Sequence, residues 1–141
     1  MTEAEIAERM SKVRVPECAK TLGIEVVAFD AATSTITVTA KGRPEFCNPM
    51  GAIQGGFLCA MLDDAMALAA VFGNNFENVV PTLEMKVSFF APARPGPIKG
   101  IGRIVKMGQT IAFLEGELLS PDGTLIAKAS ATARVAPAPK A

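Results

Sequence analysis

Gly55-Gly56-Phe57-Leu58-Cys59-Ala60-Met61-Leu62-Asp63-Asp64-Ala65-Met66-Ala67-Leu68-Ala69-Ala70-Val71-Phe72 is an apolar run broken only by two adjacent aspartates. A helix that is apolar on every side is a buried one, so a carboxylate within it needs a partner or a task. The run approaches the roughly 20 residues needed to cross a bilayer, but two central aspartates cost about 5–7 kcal/mol on insertion scales and its alanines offset little of that. It therefore reads as the core helix of a globular domain, and no membrane span is expected. Gly73-Asn74-Asn75 supplies a strong stop signal.

On the N-terminal side, residues 2–12 read as a short helix. Thr2 is placed as N-cap and Glu5, three positions on, completes a capping box. Ile24 to Asp30 is the first strand, and Ala31-Ala32-Thr33-Ser34 the hairpin connection. Thr35 to Ala40 alternates hydroxyl and aliphatic side chains, the pattern of a half-buried strand. Residues 42–53, with Gly42, Pro44, Asn48, Pro49 and Gly51, form a loop leading into the helix.

On the C-terminal side, Thr82 to Ala91 is a strand with Leu83, Met85, Val87 and Phe89 on one face and Glu84, Lys86 and Ser88 on the other. Pro92, Pro95 and Pro97 are expected to delay regular pairing until Ile98, whence a strand runs to Met107. Gly108-Gln109 turns the chain into Thr110–Leu119, and Pro121-Asp122-Gly123 turns it into Leu125–Val135. That last strand puts Leu125, Ala127, Ala129, Ala131 and Ala133 on one face, small enough for the helix to approach closely. The expected architecture is α+β: an antiparallel sheet of about six strands on one long helix. The whole chain, 1–141, reads as one domain, with an N-terminal helical segment over 1–20 and a flexible tail over 136–141.

Composition narrows the function. Half of the 141 residues are hydrophobic and 20% are charged, more apolar surface than a monomer readily hides, which favours an oligomer. Lys plus Arg and Asp plus Glu balance at 14 each, and Trp and Tyr are absent, so no nucleic-acid partner is expected. Three cysteines, Cys18, Cys47 and Cys59, are odd in number and lack metal-ligand spacing. They suit reduced thiols in a cytoplasm. The chain has no histidine, which removes Ser-His-Asp and Cys-His machinery and leaves Cys47 without an activating base. Chemistry must run on carboxylates, amides, hydroxyls and backbone; no metal and no cofactor are expected.

The site is read from the same run. Backbone amides in the first turn of a helix lack internal partners and favour negative charge. Without a Cβ at Gly55 or Gly56, a substrate carbonyl can come close to them, as in an oxyanion hole. Asp63 follows Gly55 by eight residues, so the two lie roughly 12 Å apart along one helix. A carboxylate that attacks a carbonyl, or activates water for it, must come within about 3–3.5 Å. One helix cannot supply both groups to one substrate. Two copies running antiparallel across a twofold axis can, and a homodimer with two shared sites is expected.

Asn48-Pro49-Met50-Gly51-Ala52-Ile53-Gln54-Gly55-Gly56, followed by Asp63, resembles the hotdog-fold acyl-CoA thioesterases of the phenylacetate-pathway (PaaI-like) group. Their pattern has Asn, a His six residues on, Gly-Gly, and an Asp nine residues after the His. Thr82 matches the Ser or Thr that opens the next strand, Phe89-Phe90-Ala91-Pro92 its exit, and Lys106-Met107-Gly108-Gln109 a turn near the CoA moiety. The resemblance spans about residues 20–135. It implies a hotdog fold, a sheet wrapped round one central helix, and hydrolysis of a fatty or aromatic acyl-CoA. It also implies side-by-side dimers, which would pair into a dimer of dimers. On matching positions Asp63 is general base or nucleophile, the Gly55 amide polarises the carbonyl, and Asn48 places carbonyl or water. Gln54, Gly56, Thr82, Lys106, Gly108 and Gln109 fall in the substrate-binding set.

Gln54 departs from the pattern, because an amide donates a hydrogen bond but does not titrate near neutrality. Asp64 points about 100° away from Asp63, and the resemblance selects Asp63. Lys86, Arg94, Arg103 and Lys106 are candidates for a basic rim against CoA phosphates, and Phe57 and Met61 for an acyl pocket; ordinary solvation and core packing account for these residues equally well. The competing reading is a non-catalytic acyl-CoA sensor on the same fold. A hotdog hydratase is disfavoured by the missing histidine.

Overall fold

The computed structural model describes residues 1–140. The apolar run folds as helix α3, Gly55–Gly73. Ala, Leu and Met are strong helix formers, only Val71 in the run is β-branched, and proline is absent from it. Asn74 caps its end, and Asn75 and Phe76 then take left-handed backbone at φ 56° and 65°. Leu58, Met61, Leu62, Ala65, Met66, Ala69 and Ala70 recur every three or four residues and are buried. Each large side chain so buried contributes about 2 kcal/mol. The opposite stripe, Ala60, Asp63, Asp64, Ala67, Leu68 and Val71, is only partly covered. The sequence expectation of burial on every side is thus corrected: within one protomer α3 has an open face, and both aspartates lie on it.

Before α3 come α1 (Glu3–Ser11), α2 (Glu17–Leu22), β1 (Glu25–Asp30), β2 (Thr35–Gly42) and a short 3-10 turn at Pro44–Phe46. After it come β3 (Asn78–Val79), β4 (Thr82–Phe89), β5 (Gly96–Met107), β6 (Ile111–Leu119), β7 (Leu125–Arg134) and β8 (Ala136–Pro137). The capping box forms as expected: the Thr2 hydroxyl accepts from the Glu5 amide and the Thr2 amide donates to the Glu5 carboxylate. Six strands make one antiparallel sheet in the order β1-β2-β5-β6-β7-β4. β4 therefore lies at an edge, with Leu83, Phe89 and Phe90 exposed.

Small residues let the sheet close on the helix. Ala127, Ala129, Ala131 and Ala133 are buried, as their alternation required. The tightest approach is made elsewhere, by glycines. A Cβ on Gly102 of β5 would stand 2.1 Å from the carbonyl oxygen of Ala65, and one on Gly116 of β6 would stand 3.0 Å from Cγ of Met66.

Two expectations are corrected here. β5 starts at Gly96, not Ile98, with Pro97 opposite Lys41. On its other side β5 meets β6 only from Lys99 onward, so at Pro97 the strand has one neighbour and tolerates the missing N–H. The C-terminal stretch is also more than a tail: β8 pairs with β3, and the Ala138 amide donates to the Glu77 carbonyl. Position 141, part of the same expectation, lies outside the described residues.

Candidate active site

The loop before α3 is pinned from several directions. The Gln54 amide donates to the Phe46 carbonyl at 2.8 Å and the Ile53 amide to the Ala93 carbonyl at 2.9 Å. The Phe46 ring stacks on Phe57 with centroids 4.1 Å apart. Asn48 braces the loop from within: its Oδ1 accepts from the Met50 amide at 3.0 Å and the Ala52 amide at 3.2 Å. That leaves its Nδ2 as the side-chain donor able to meet another group. Gln54 is the N-cap residue of α3, yet its exposed side chain makes no capping bond. A Cβ on Gly56 would meet nothing within 4 Å, and one on Gly55 would lie 3.2 Å from the Phe89 ring. The helix start is open beside Gly56 and flanked by the end of β4 beside Gly55.

Asp63 lies two turns along, at the other end of β4. The Thr82 hydroxyl donates to its Oδ1 at 2.6 Å. Simple alternation would send Thr82 outward with Glu84 and Lys86. A register shift between Thr82 and Glu84 breaks that alternation, because Thr82 pairs with Ala133 while Glu84 already pairs with Thr132. The extra residue, Leu83, re-aims Thr82 at the helix. Asp63 is half-buried, neither sealed in its protomer nor fully solvated.

A model of the thioesterase superfamily matches residues 50–127. The chain belongs to this superfamily. A phenylacetic acid degradation-related protein of Ralstonia eutropha JMP134 superposes with a TM-score of 0.85 at 34% identity, covering 91% of this chain and 96% of its own. Human acyl-coenzyme A thioesterase 13 is 26% identical over 126 residues, 88% of this chain and 87% of its own. A Streptococcus mutans UA159 protein solved bound to acetyl CoA has the same fold, with a TM-score of 0.75 at 21% identity, covering 92% of this chain and 97% of its own. The six-stranded sheet on one long helix is the hotdog fold.

In this hotdog thioesterase the expected site residues fall into separate groups. Asn48, Gln54, Gly55 and Gly56 gather at the start of α3, and Asp63 and Thr82 two turns away. Lys106, Gly108 and Gln109 sit at the β5–β6 hairpin. Met107 pairs with Ala112, Ala112 with Ala133 and Ala133 with Thr82, so this hairpin shares the Thr82 end of the sheet but lies three strands across. Gly108 is held there by its amide bond to the Ile111 carbonyl at 2.9 Å. Among the rim candidates, Arg103 is taken by an ion pair with Glu115 on the next strand. Arg94 reaches the Met50 carbonyl at 3.5 Å, while Lys86 and Lys106 are exposed. Met61 is fully buried in the core, because its position on α3 faces the sheet.

The resemblance selects Asp63 over Asp64, and the structure gives Asp64 a distinct environment. Its Oδ2 is shielded from solvent and has no hydrogen-bond partner among the described residues. Burial, and secondarily the Asp63 carboxylate beside it, push its pKa up to about 6. The unfolded chain gives up this proton near the ordinary aspartate value, and the folded chain holds it longer. Stability from this group is therefore complete below about pH 4 and lost as pH rises to about 6. Because the residue is partly exposed, the loss is discounted to on the order of 1–2 kcal/mol. Urea unfolding of Asp64→Asn from pH 4 to 7 should show that decline flattened; an unchanged slope would show that Asp64 is not its source.

Proposed function

We propose that this protein hydrolyses acyl-CoA thioesters of fatty or aromatic acids in sites shared between two copies, with Asp63 as general base or nucleophile and the Gly55 amide as oxyanion donor. One observation carries the reading. Within a single chain the Thr82 end of edge strand β4 touches Asp63 and the Phe89 end flanks Gly55. Antiparallel pairing of two β4 edges sets the Thr82 end of one against the Phe89 end of the other, which brings Asp63 of one copy toward Gly55 of the second. The same pairing covers the exposed Leu83, Phe89 and Phe90 and removes an unpaired sheet edge.

In such a site the thioester carbonyl oxygen sits at the amide end of α3, where the peptide dipoles stabilise the charge that develops on it. Asp63 then attacks the carbonyl carbon, or takes a proton from a water that does. The C–S bond breaks and the CoA thiolate leaves, taking up a proton; where Asp63 itself has attacked, water then hydrolyses the aspartyl–acyl anhydride, and by either route the products are the carboxylic acid and the CoA thiol. Thr82, through its bond to Oδ1, holds the carboxylate in place. The Asn48 Nδ2 and the Gln54 side chain supply donors that do not titrate near neutrality. The free cysteines, 18, 47 and 59, suit a reducing cytoplasm.

Mixing two inactive variants tests the shared site. Asp63→Asn and Gly55→Val, each unable to turn over, are unfolded together and refolded. Half of the dimers are then mixed, each with one intact site of two, so about a quarter of the wild-type rate returns. No recovery, with mixed dimers verified by mass, would place both groups in one chain. A free-thiol assay across an acyl-CoA panel separates this reading from that of a non-catalytic sensor, which binds without turnover.

A further inference from the structure

Edge strand β4 carries two opposite charges on the outward face of the sheet. Glu84 stands opposite Thr132 and Lys86 opposite Ser130 on β7, and both are exposed. On the same face the inner strands pair their own charges, Arg103 with Glu115 and Lys128 with Glu117 at 3.6 Å. Glu84 and Lys86 form no ion pair among the described residues. Met85 and Val87, pointing inward from the same stretch, are half-buried against the core. A charged edge ordinarily blocks association. Opposite charges two residues apart instead make it selective, because one antiparallel register sets each against its complement.

Few registers are open to two copies of β4. Residues opposite one another in an antiparallel pair point to the same face, so the twofold axis must pass through a facing pair of identical residues. An axis at Met85 or at Lys86 keeps Thr82–Phe89 paired along nearly its whole length. At Lys86 the axis sets this residue against the partner's Lys86, and like charges directly opposite are destabilising. At Met85 it sets Glu84 against the partner's Lys86, and Lys86 against the partner's Glu84. It also brings Thr82, which holds Asp63, alongside the partner's Ser88, next to the ring that flanks Gly55. We propose, building on the shared-site reading, that these two reciprocal ion pairs fix the register in which β4 receives a second copy of this chain, with Met85 on the axis. Moving the axis by one residue slides the copies by two, roughly 7 Å. An attacking group must come within about 3–3.5 Å of the carbonyl, so the register decides whether Asp63 can serve a thioester held at the partner's Gly55. Glu84 and Lys86 touch no reacting atom and are positioning residues of the site.

Charge reversal tests the register. Glu84→Lys and Lys86→Glu change exposed positions, and each turns both ion pairs into repulsions. Each should raise the dimer dissociation constant about tenfold or more in sedimentation at low salt. Mixing the two variants makes the facing charges complementary again and should return the constant to the wild-type range. Met85→Cys supplies a second readout. Facing residues hold their Cα atoms about 4.5–5.5 Å apart, within reach of a disulfide. Oxidation with diamide should link two copies through position 85, as located by peptide mass, which also separates this link from any through the native cysteines 18, 47 and 59. Lys86→Cys, roughly 7 Å out of register with its own copy, should not link. Glu84→Lys as tightly dimeric as the wild type, mixing that restores nothing, or a link at 86 in place of 85 would overturn the proposal. Hydrolysis of acyl-CoA is scored separately. Dimers that respond to both charges without turnover uphold the interface and refute the thioesterase reading; turnover by dimers indifferent to both reversals does the opposite.

Discussion

Asp63→Asn should lower kcat/KM for acyl-CoA hydrolysis by about 10³-fold, within the range seen when a general acid–base group is lost, and more if the carboxylate itself attacks. The substitution changes little else. The amide keeps the shape of the carboxyl, and its oxygen can still accept from the Thr82 hydroxyl that now bonds Oδ1 at 2.6 Å. The fold should therefore survive, as judged by an unchanged thermal midpoint. Asparagine neither takes a proton from water nor attacks a carbonyl. Thiol release in a continuous assay is the measurement, and a variant keeping a tenth or more of wild-type kcat/KM would remove Asp63 from the chemistry. Single turnover in heavy-oxygen water separates the two mechanisms, since label in the Asp63 side chain marks direct attack.

The largest effect on stability is expected at Gly102, a residue far from any reacting atom. A Cβ there would stand 2.1 Å from the Ala65 carbonyl oxygen and 2.5 Å from its carbon. That is backbone against backbone in the centre of α3, so no side-chain rotation relieves it. Either β5 or α3 must shift, and close-packed interiors resist both. Gly102→Ala should cost about 3 kcal/mol, the upper end for an overpacked core. The thermal midpoint should fall by roughly 10 °C for a domain of this size. Gly56→Ala is the control: its Cβ meets nothing within 4 Å, and alanine in the first turn of a helix is neutral or slightly stabilising. Equal midpoints for the two variants would show that the helix does not rest on β5 at this point.

Particular residues show how far the sequence carries. Gly55 to Phe72 announces a core helix through length, composition and its Gly-Asn-Asn stop, and α3 spans Gly55–Gly73. Period-two alternation places Ala127, Ala129, Ala131 and Ala133 on the buried face, because strand geometry leaves side chains only two directions. The Thr2–Glu5 box forms because capping is settled within four residues. Other features left no such mark. Leu83 looks like one more apolar strand residue, yet it is the bulge that turns Thr82 toward Asp63. Gly102 and Gly116 look like ordinary strand glycines, yet the sheet meets the helix there. The N-terminal helix shows an apolar stripe, but not that the stripe roofs a cavity over Asp64.

By itself the sequence determined the long helix, the capped N-terminal helix, the six main strands, the α+β class and the family, because propensity, capping and alternation act over a few residues and a motif keeps its spacing along the chain; α2, β3 and β8 escaped it. Only the tertiary structure decided that Asp63 finds Thr82 while Asp64 Oδ2 finds no donor among the described residues, and that β4 stands at an edge. Those outcomes depend on which distant segments pack together, and nothing in either partner's own stretch of chain encodes the meeting.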